Sequence, residues 1–197
     1  MLHWNERFNE PGYAYGTSPN DFLTEVRHMI TGTQVLSVGE GEGRNAVYLA
    51  QQGYQVTAVD SSSVGLGKAE ALSRERDVSI QTIVADLADY DPCMGAWDGI
   101  VSIFCHLPSS VRIELHKKLV NALKPGGILV LEAYTPAQLD FKTGGPGQID
   151  FFMTVQGLQQ ELSGLNFEIA REVEREIHEG RYHNGQSAVV QILARKP

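Results

Sequence analysis

The sequence predicts an α/β fold, a mostly parallel sheet covered by helices on both faces, and three observations predict it. From Gln34 onward short β-branched runs alternate with stretches of helical period, and a glycine-rich turn, Gly39 to Gly43, lies directly between a strand-like and a helix-like run. A length of 197 residues suits one domain, since single cores stop growing beyond roughly 250 residues. The first strand is Val35 to Val38, and the helix after the turn presents Ala46, Val47, Leu49 and Ala50 on one face before stopping at Gly53. Gln55 to Val59 is a second strand with Asp60 at its carboxyl end, and Ser61 to Ser63 can cap a helix running to about Arg74. Ser79 to Val84 is a third strand closing on Ala85-Asp86, and Trp97 to Phe104 a fourth. Ser109 or Ser110 begins a helix with Val111, Leu115, Leu119 and Leu123 on one face; Lys124-Pro125-Gly126-Gly127 breaks it, and Ile128 to Glu132 is a fifth strand.

Thr135 to Phe152 contains Pro136, Gly144, Gly145, Pro146 and Gly147 and exceeds most connections in length, which predicts a lid or binding loop. A helix from about Thr154 to Leu162 follows. Phe167 to His178 and Ser187 to Ala194 are two further strands, antiparallel neighbours because only Glu179 to Gly185 joins them. The segment through Phe22 is aromatic and turn-rich without a clear period. The whole, 1–197, reads as one domain with an N-terminal cap and leading helix (1–33), a half carrying the glycine turn (34–134), and a lid loop, helix and hairpin (135–197).

Sixteen Lys and Arg against 24 Asp and Glu give a net charge of −8, a field that repels phosphate backbones and anionic lipids, so neither nucleic acid nor a membrane surface is an expected partner. No apolar run approaches the ~20 residues of a membrane span. Met1 to Asn20 lacks the pattern of a secretory signal, and the expected location is cytoplasmic. Cys93 and Cys105 are too few for a disulfide scaffold and read as free thiols. His178 and His183 flank a hairpin, while His3, His28 and His116 have no partners at metal-ligand spacing; no metal site is expected.

Gly39, Gly41 and Gly43 alternate where absent side chains let backbone N–H groups approach a ligand. The dinucleotide fingerprint Gly-x-Gly-x-x-Gly fails, because Arg44 stands at its sixth position, and Glu40 and Glu42 would oppose a pyrophosphate. A ligand with a cationic centre and a nucleoside fits better. Asp60, ~20 residues on, can accept from ribose hydroxyls, and Asp86 is a third carboxylate on the same sheet edge.

Val35-Leu36-Ser37-Val38-Gly39-Glu40-Gly41-Glu42-Gly43-Arg44-Asn45, then Val59-Asp60, Ala85-Asp86 and Leu123-Lys124-Pro125-Gly126-Gly127, resemble the successive motifs of class I S-adenosylmethionine-dependent methyltransferases. The opening Trp4-Asn5-Glu6-Arg7-Phe8, with Tyr15-Gly16 and Pro19-Asn20, is similar to small bacterial enzymes of the tellurite-resistance and thiopurine methyltransferase-like group. The resemblance implies a Rossmann-like three-layer sandwich whose seven strands run in the order 3-2-1-4-5-7-6 with the last antiparallel. It makes 34–134 the cofactor-binding half and S-adenosyl-L-methionine the cofactor, the glycine loop holding the methionine part, Asp60 the ribose and Asp86 the adenine amino group. Tyr15, Glu40, Arg44, Ser61, Leu87 and Phe104 join Gly39, Gly41 and Gly43 in the expected cofactor site. One departure is Ser37, where many members carry an acid; either Glu40 substitutes for it electrostatically or Ser37 hydrogen-bonds the loop. Arg44 pairs with the cofactor carboxylate or with Glu42, the second being favoured.

A sulfonium carries an activated methyl group, so the protein chiefly aligns the acceptor and excludes water. His106, after the fourth strand, is the candidate catalytic base for a protic acceptor, or else a loop residue beside the next helix. Cys105, Tyr134 and Phe151 are candidate acceptor-side residues, with Tyr13, Phe141 and Phe152 as further possible walls; each has an alternative reading as core. The expected activity is methyl transfer to sulfur, oxygen or a metalloid oxyanion of a small molecule, by a monomer or homodimer. A non-catalytic cofactor-binding or sensing module is the alternative.

Overall fold

Runs of branched apolar residues become strands here because both of their faces are to be buried. In the computed structural model, which describes residues 4–197 and so leaves His3 outside, seven strands pair in the order β3-β2-β1-β4-β5-β7-β6. They are β1 (Gln34–Val38), β2 (Gln55–Asp60), β3 (Gln81–Val84), β4 (Trp97–Ile103), β5 (Leu123–Tyr134), β6 (Asn166–Glu179) and β7 (His183–Arg195). The first five are parallel, and β7 runs antiparallel to both β5 and β6. Order and direction agree with the expectation from the motifs.

Six α-helices complete the layers: α1 (Trp4–Phe8), α2 (Asp21–Val26), α3 (Arg44–Gln51), α4 (Ser63–Glu75), α5 (Ser109–Ala122) and α6 (Val155–Glu161). On one face Phe22, Leu23, Leu49 and Leu66 from α2, α3 and α4 pack with Val35, Val56 and Val130. On the other, Leu115, Leu119, Leu158 and Leu162 from α5 and α6 pack with Leu36, Val59 and Leu129. Three helices start at side-chain caps, where Asn20, Ser62 and Thr154 accept from the amides of Leu23, Gly65 and Gly157. No helix of the described residues is long and apolar enough to cross a membrane.

Several boundaries differ from the sequence expectations. β3 begins at Gln81, and β4 stops one residue short of Phe104, whose φ of +52° turns the chain away. The Lys124–Gly127 break is a bulge within β5: pairing jumps from Trp97↔Leu123 to Gly99↔Ile128 around Gly126 at φ +80°. Most consequential, the hairpin is longer than expected, with Glu179 paired to His183 and only residues 180–182 left to turn. Its polar tip reads as loop in sequence, yet it docks on the N-terminal segment. Arg181 N donates to Ala14 O at 2.9 Å, and Tyr182 Oη donates to the Glu10 carboxylate at 2.8 Å.

The expected lid loop contains two 3-10 turns, Pro136–Asp140 and Ile149–Phe151. It is tied to β7: Ala188 N donates to Gln138 Oε1 at 2.8 Å and Thr143 Oγ1 to Gln186 O at 2.7 Å.

Candidate functional site

Strand order reverses between β1 and β4, and the crevice at the carboxyl ends of such strands is where open α/β sheets bind ligands. The chain turns there from β1 into α3 with Gly39, Gly41 and Gly43 at φ +63°, +67° and +93°, a region that a Cβ resists. Asp60, ending β2, aims its carboxylate at this turn. Gly41 N donates to its Oδ2 at 2.9 Å and Ser62 N to its Oδ1 at 2.8 Å. Burial pushes the Asp60 carboxyl pKa up, against the opposing effect of those amides. One strand further, beyond β3, Asp86 is exposed and accepts from Ala88 N at 3.0 Å, with Leu87 buried beside it; Ser61 is exposed at the same edge.

A Cβ on Gly41 would come within 3.0 Å of the Phe8 ring and one on Gly65 within 2.8 Å, so these two glycines form the walls of a trough that Phe8 of α1 fills. Tyr15 meets Phe8 edge-on at 6.3 Å. Two glycine walls, a ring-sized gap and a carboxylate at its rim fit an adenosyl group, once Phe8 withdraws.

The charged residues of the turn are committed more locally than the sequence suggests. Glu40 Oε1 accepts from Asn45 N at 3.1 Å and Ala46 N at 3.0 Å, capping the positive end of α3, while the Ser37 hydroxyl donates to its Oε2. Burial raises the Glu40 carboxyl pKa against these bonds. Glu42 accepts from Ala14 N at 2.6 Å and from Lys68 at 2.8 Å. Arg44 therefore does not pair with Glu42, as favoured from sequence; it pairs with Glu179 at 2.7 Å, because β6 carries that carboxylate under the turn. Asn20 bridges the same network, its amide donating to Glu179 at 2.9 Å and to the fully buried Glu132 at 2.8 Å.

Beyond the turn lies an aromatic cluster. Phe104 sits 4.7 Å from Tyr134 and 4.7 Å from His183, and Tyr15 4.5 Å from His183, while His106 stacks on Tyr134 at 5.5 Å. The Tyr134 hydroxyl is buried without a hydrogen-bond partner, and burial raises its pKa. The imidazole of His106 accepts the Tyr134 backbone N–H on Nε2 at 3.1 Å, and burial pushes it down to about 3. A base at this position would first have to give up that bond. Cys105 packs beneath Gly39, where a Cβ would meet its Sγ at 2.6 Å, and burial pushes the thiol up to about 12. It is buried, as in its alternative reading as core. Phe152 rather than Phe151 packs with Tyr134, Ile177 and Val189. An open cleft of about 290 Å³ lies within the lid loop itself, lined among others by Gln138, Lys142, Gly144, Gly145 and Phe152.

His183 and Glu179 are the site residues that the sequence reading missed as such. The available signal was Gly180: a tight turn there makes Glu179 and His183 cross-strand partners instead of loop residues. Among the described residues, no group of three His, Cys, Asp or Glu is arranged to hold a metal ion.

Residues 35–127 match a family model described as a methyltransferase domain. The 2-heptyl-1-hydroxyquinolin-4(1H)-one methyltransferase of Mycobacteroides abscessus is 24% identical over 139 residues, 69% of this chain and 61% of that protein. The chain thus spans less than two thirds of the length of the curated relatives it first matches. TehB from Haemophilus influenzae superposes with a TM-score of 0.72 at 22% identity, over 90% of this chain and 62% of that one. The N-methyltransferase NodS from Bradyrhizobium japonicum WM9, in complex with S-adenosyl-L-homocysteine, does so with a TM-score of 0.67 at 16% identity, over 98% and 96%. The match places a methyltransferase domain over residues 35–127, and the likeness to the solved structures is one of fold.

Proposed function

We propose that this protein transfers the methyl group of S-adenosylmethionine to a small-molecule acceptor offering sulfur, oxygen or a metalloid oxyanion. The observation that carries the reading is the placement of Asp60 and the glycine turn on one rim, with an aromatic cluster directly beyond it. Asp60 would hold the ribose hydroxyls, the amides of Gly39 and Gly41 the methionine part, and Asp86 the adenine amino group, with Tyr15, Ser61, Leu87 and Phe104 bordering them. When bound, the sulfonium supplies an already activated methyl. What is left to the chain is to orient the acceptor and keep water away, and the rings of buried Tyr134 and His183 and half-buried Phe104 suit both tasks.

The net charge of −8 disfavours a polyanionic macromolecule as acceptor. The Mycobacteroides relative bears the name of a hydroxyquinolinone, which agrees with a small acceptor. The test is transfer of labelled methyl to a panel of thiols, phenols, amines, selenite and tellurite. Product from the sulfur, oxygen or metalloid acceptors is expected; cofactor binding with no transfer to any of them would instead favour a sensing module.

A further inference from the structure

In the aromatic cluster, His183 keeps a ring nitrogen without a hydrogen-bond partner among the described residues. Its Nδ1 lies 3.4 Å from Glu179 Oε2, and Glu179 is in turn fixed by Arg44 at 2.7 Å and Asn20 at 2.9 Å. An Nδ1 facing a carboxylate carries the proton, which leaves the lone pair on Nε2. Nε2 forms no hydrogen bond among the described residues, whereas Nε2 of His106 is occupied by a backbone amide. The His183 ring lies among Tyr15, Phe104 and Tyr134, at 4.5, 4.7 and 5.2 Å between ring centres.

A second, independent feature points to the same spot. The buried Tyr134 hydroxyl lies near Ser187 but makes no hydrogen bond of ordinary geometry, although buried hydroxyls almost always find one. A Cβ on Gly144 would lie 2.9 Å from this hydroxyl and 3.1 Å from His183 Cδ2, so both groups meet under the same lid glycine. Gly144 and Gly145 also line the open cleft of about 290 Å³ within the lid loop. Displacing these two glycines would open a way from that cleft to the Tyr134 hydroxyl and the His183 imidazole.

We propose that His183 is the catalytic residue that takes the proton of an aromatic hydroxyl acceptor, with Glu179 as its positioning residue; the inference rests on the methyl-transfer reading above. The acceptor O–H bond breaks and its proton passes to His183 Nε2. The oxygen lone pair forms the new O–CH₃ bond, and the electron pair of the breaking C–S bond returns to sulfur. One cation, the sulfonium, is consumed and one, the imidazolium, is formed beside the Glu179 carboxylate. The groups facing this imidazole are Tyr15 from the N-terminal segment, Arg44 from α3, His106 after β4, Glu132 and Tyr134 from β5, and Glu179 from β6. Burial lowers the His183 pKa below 6.5 against the pull of Glu179, which keeps the ring neutral, as a base requires.

The experiment compares wild type with His183→Gln in three readouts. Calorimetry with S-adenosylhomocysteine reports cofactor binding; single-turnover methylation of phenol and of 4-nitrophenol, across pH, reports proton removal; and ¹⁵N NMR of the wild-type imidazoles reports the tautomer without any activity. The variant is expected to keep cofactor affinity within about threefold. It should lose about 100-fold or more on phenol and far less on 4-nitrophenol, which ionises without help. The NMR spectrum should show His183 protonated on Nδ1 and titrating below 6.5. Equal losses on both phenols, an unchanged pH profile, or a proton on Nε2 would each overturn the proposal, the last even if the variant does not fold. Absence of cofactor binding by wild type would instead remove the methyl-transfer reading beneath it, and transfer to thiols or selenite alone would overturn the assignment of acceptor class.

Discussion

Arg44 and Glu179 meet at 2.7 Å with side chains 8% and 7% exposed, and their pairing explains why a glycine turn can sit on a hairpin formed 135 residues later. Burial opposes a charge on Glu179, but Arg44 and the hydrogen bond with His183 outweigh it and hold the carboxyl at about 2. Removing one partner of such a pair costs far more than the pair contributes, because the other charge stays buried. Arg44→Met is therefore expected to lose about 3–5 kcal/mol in urea unfolding at neutral pH, and a loss below about 1 kcal/mol would show that Glu179 finds another cation. Tyr134→Phe is the contrasting case. With no partner for its hydroxyl, the substitution should change stability by less than about 1 kcal/mol while slowing methyl transfer, and a large destabilisation would reveal a structural hydrogen bond. The pairing of Arg44 was not legible in the sequence, where Glu42 is the nearer acid; only the fold brings Glu179 closer and gives Glu42 to Lys68.

The β6–β7 hairpin does more than close the sheet, since its tip braces the N-terminal segment that carries Tyr15. At the turn, Gly180 has φ +69°, and a Cβ there would lie 2.5 Å from both Ala14 O and Gly16 N. Gly180→Ala should cost about 1–3 kcal/mol and loosen the segment around Tyr15, visible as faster amide exchange; an unchanged exchange pattern would mean that the tip is not a brace. The short helix α1 is the matching element on the other side of the glycine turn. Because Phe8 fills the trough, cofactor binding is expected to displace α1 and speed the exchange of its amides, and protection left as it was on adding S-adenosylhomocysteine would place the ligand elsewhere. Hairpin length and the seat of α1 escaped the sequence reading for one physical reason. Both are decided by contacts between chain ends, whereas periodicity and turn chemistry report only neighbours.

Alternating strand and helix signals, glycine stops and the acid-tipped strands made the seven-stranded architecture legible, since each arises from burial or backbone geometry within about ten residues. The molecule as a whole also responds to pH in a direction its buried groups set. Folded His106 is held at about 3 against 6.5 for a free imidazole, and Glu179 at about 2 against 4.5. In both cases the unfolded chain binds more protons in acid, so their contribution is complete above 6.5 and is lost as pH falls, through His106 down to about 3 and through Glu179 between 4.5 and about 2. Urea midpoints should decline on going from about pH 7.5 to about pH 4, and His106→Gln should flatten the upper part of that decline; a flat wild-type curve would contradict the assignment. The most direct test of the account is calorimetric titration with S-adenosylhomocysteine of wild type and Asp60→Ala. Saturable binding by wild type, weakened at least about tenfold in the variant, is the predicted result; no binding by wild type, or equal affinity in both, would contradict it.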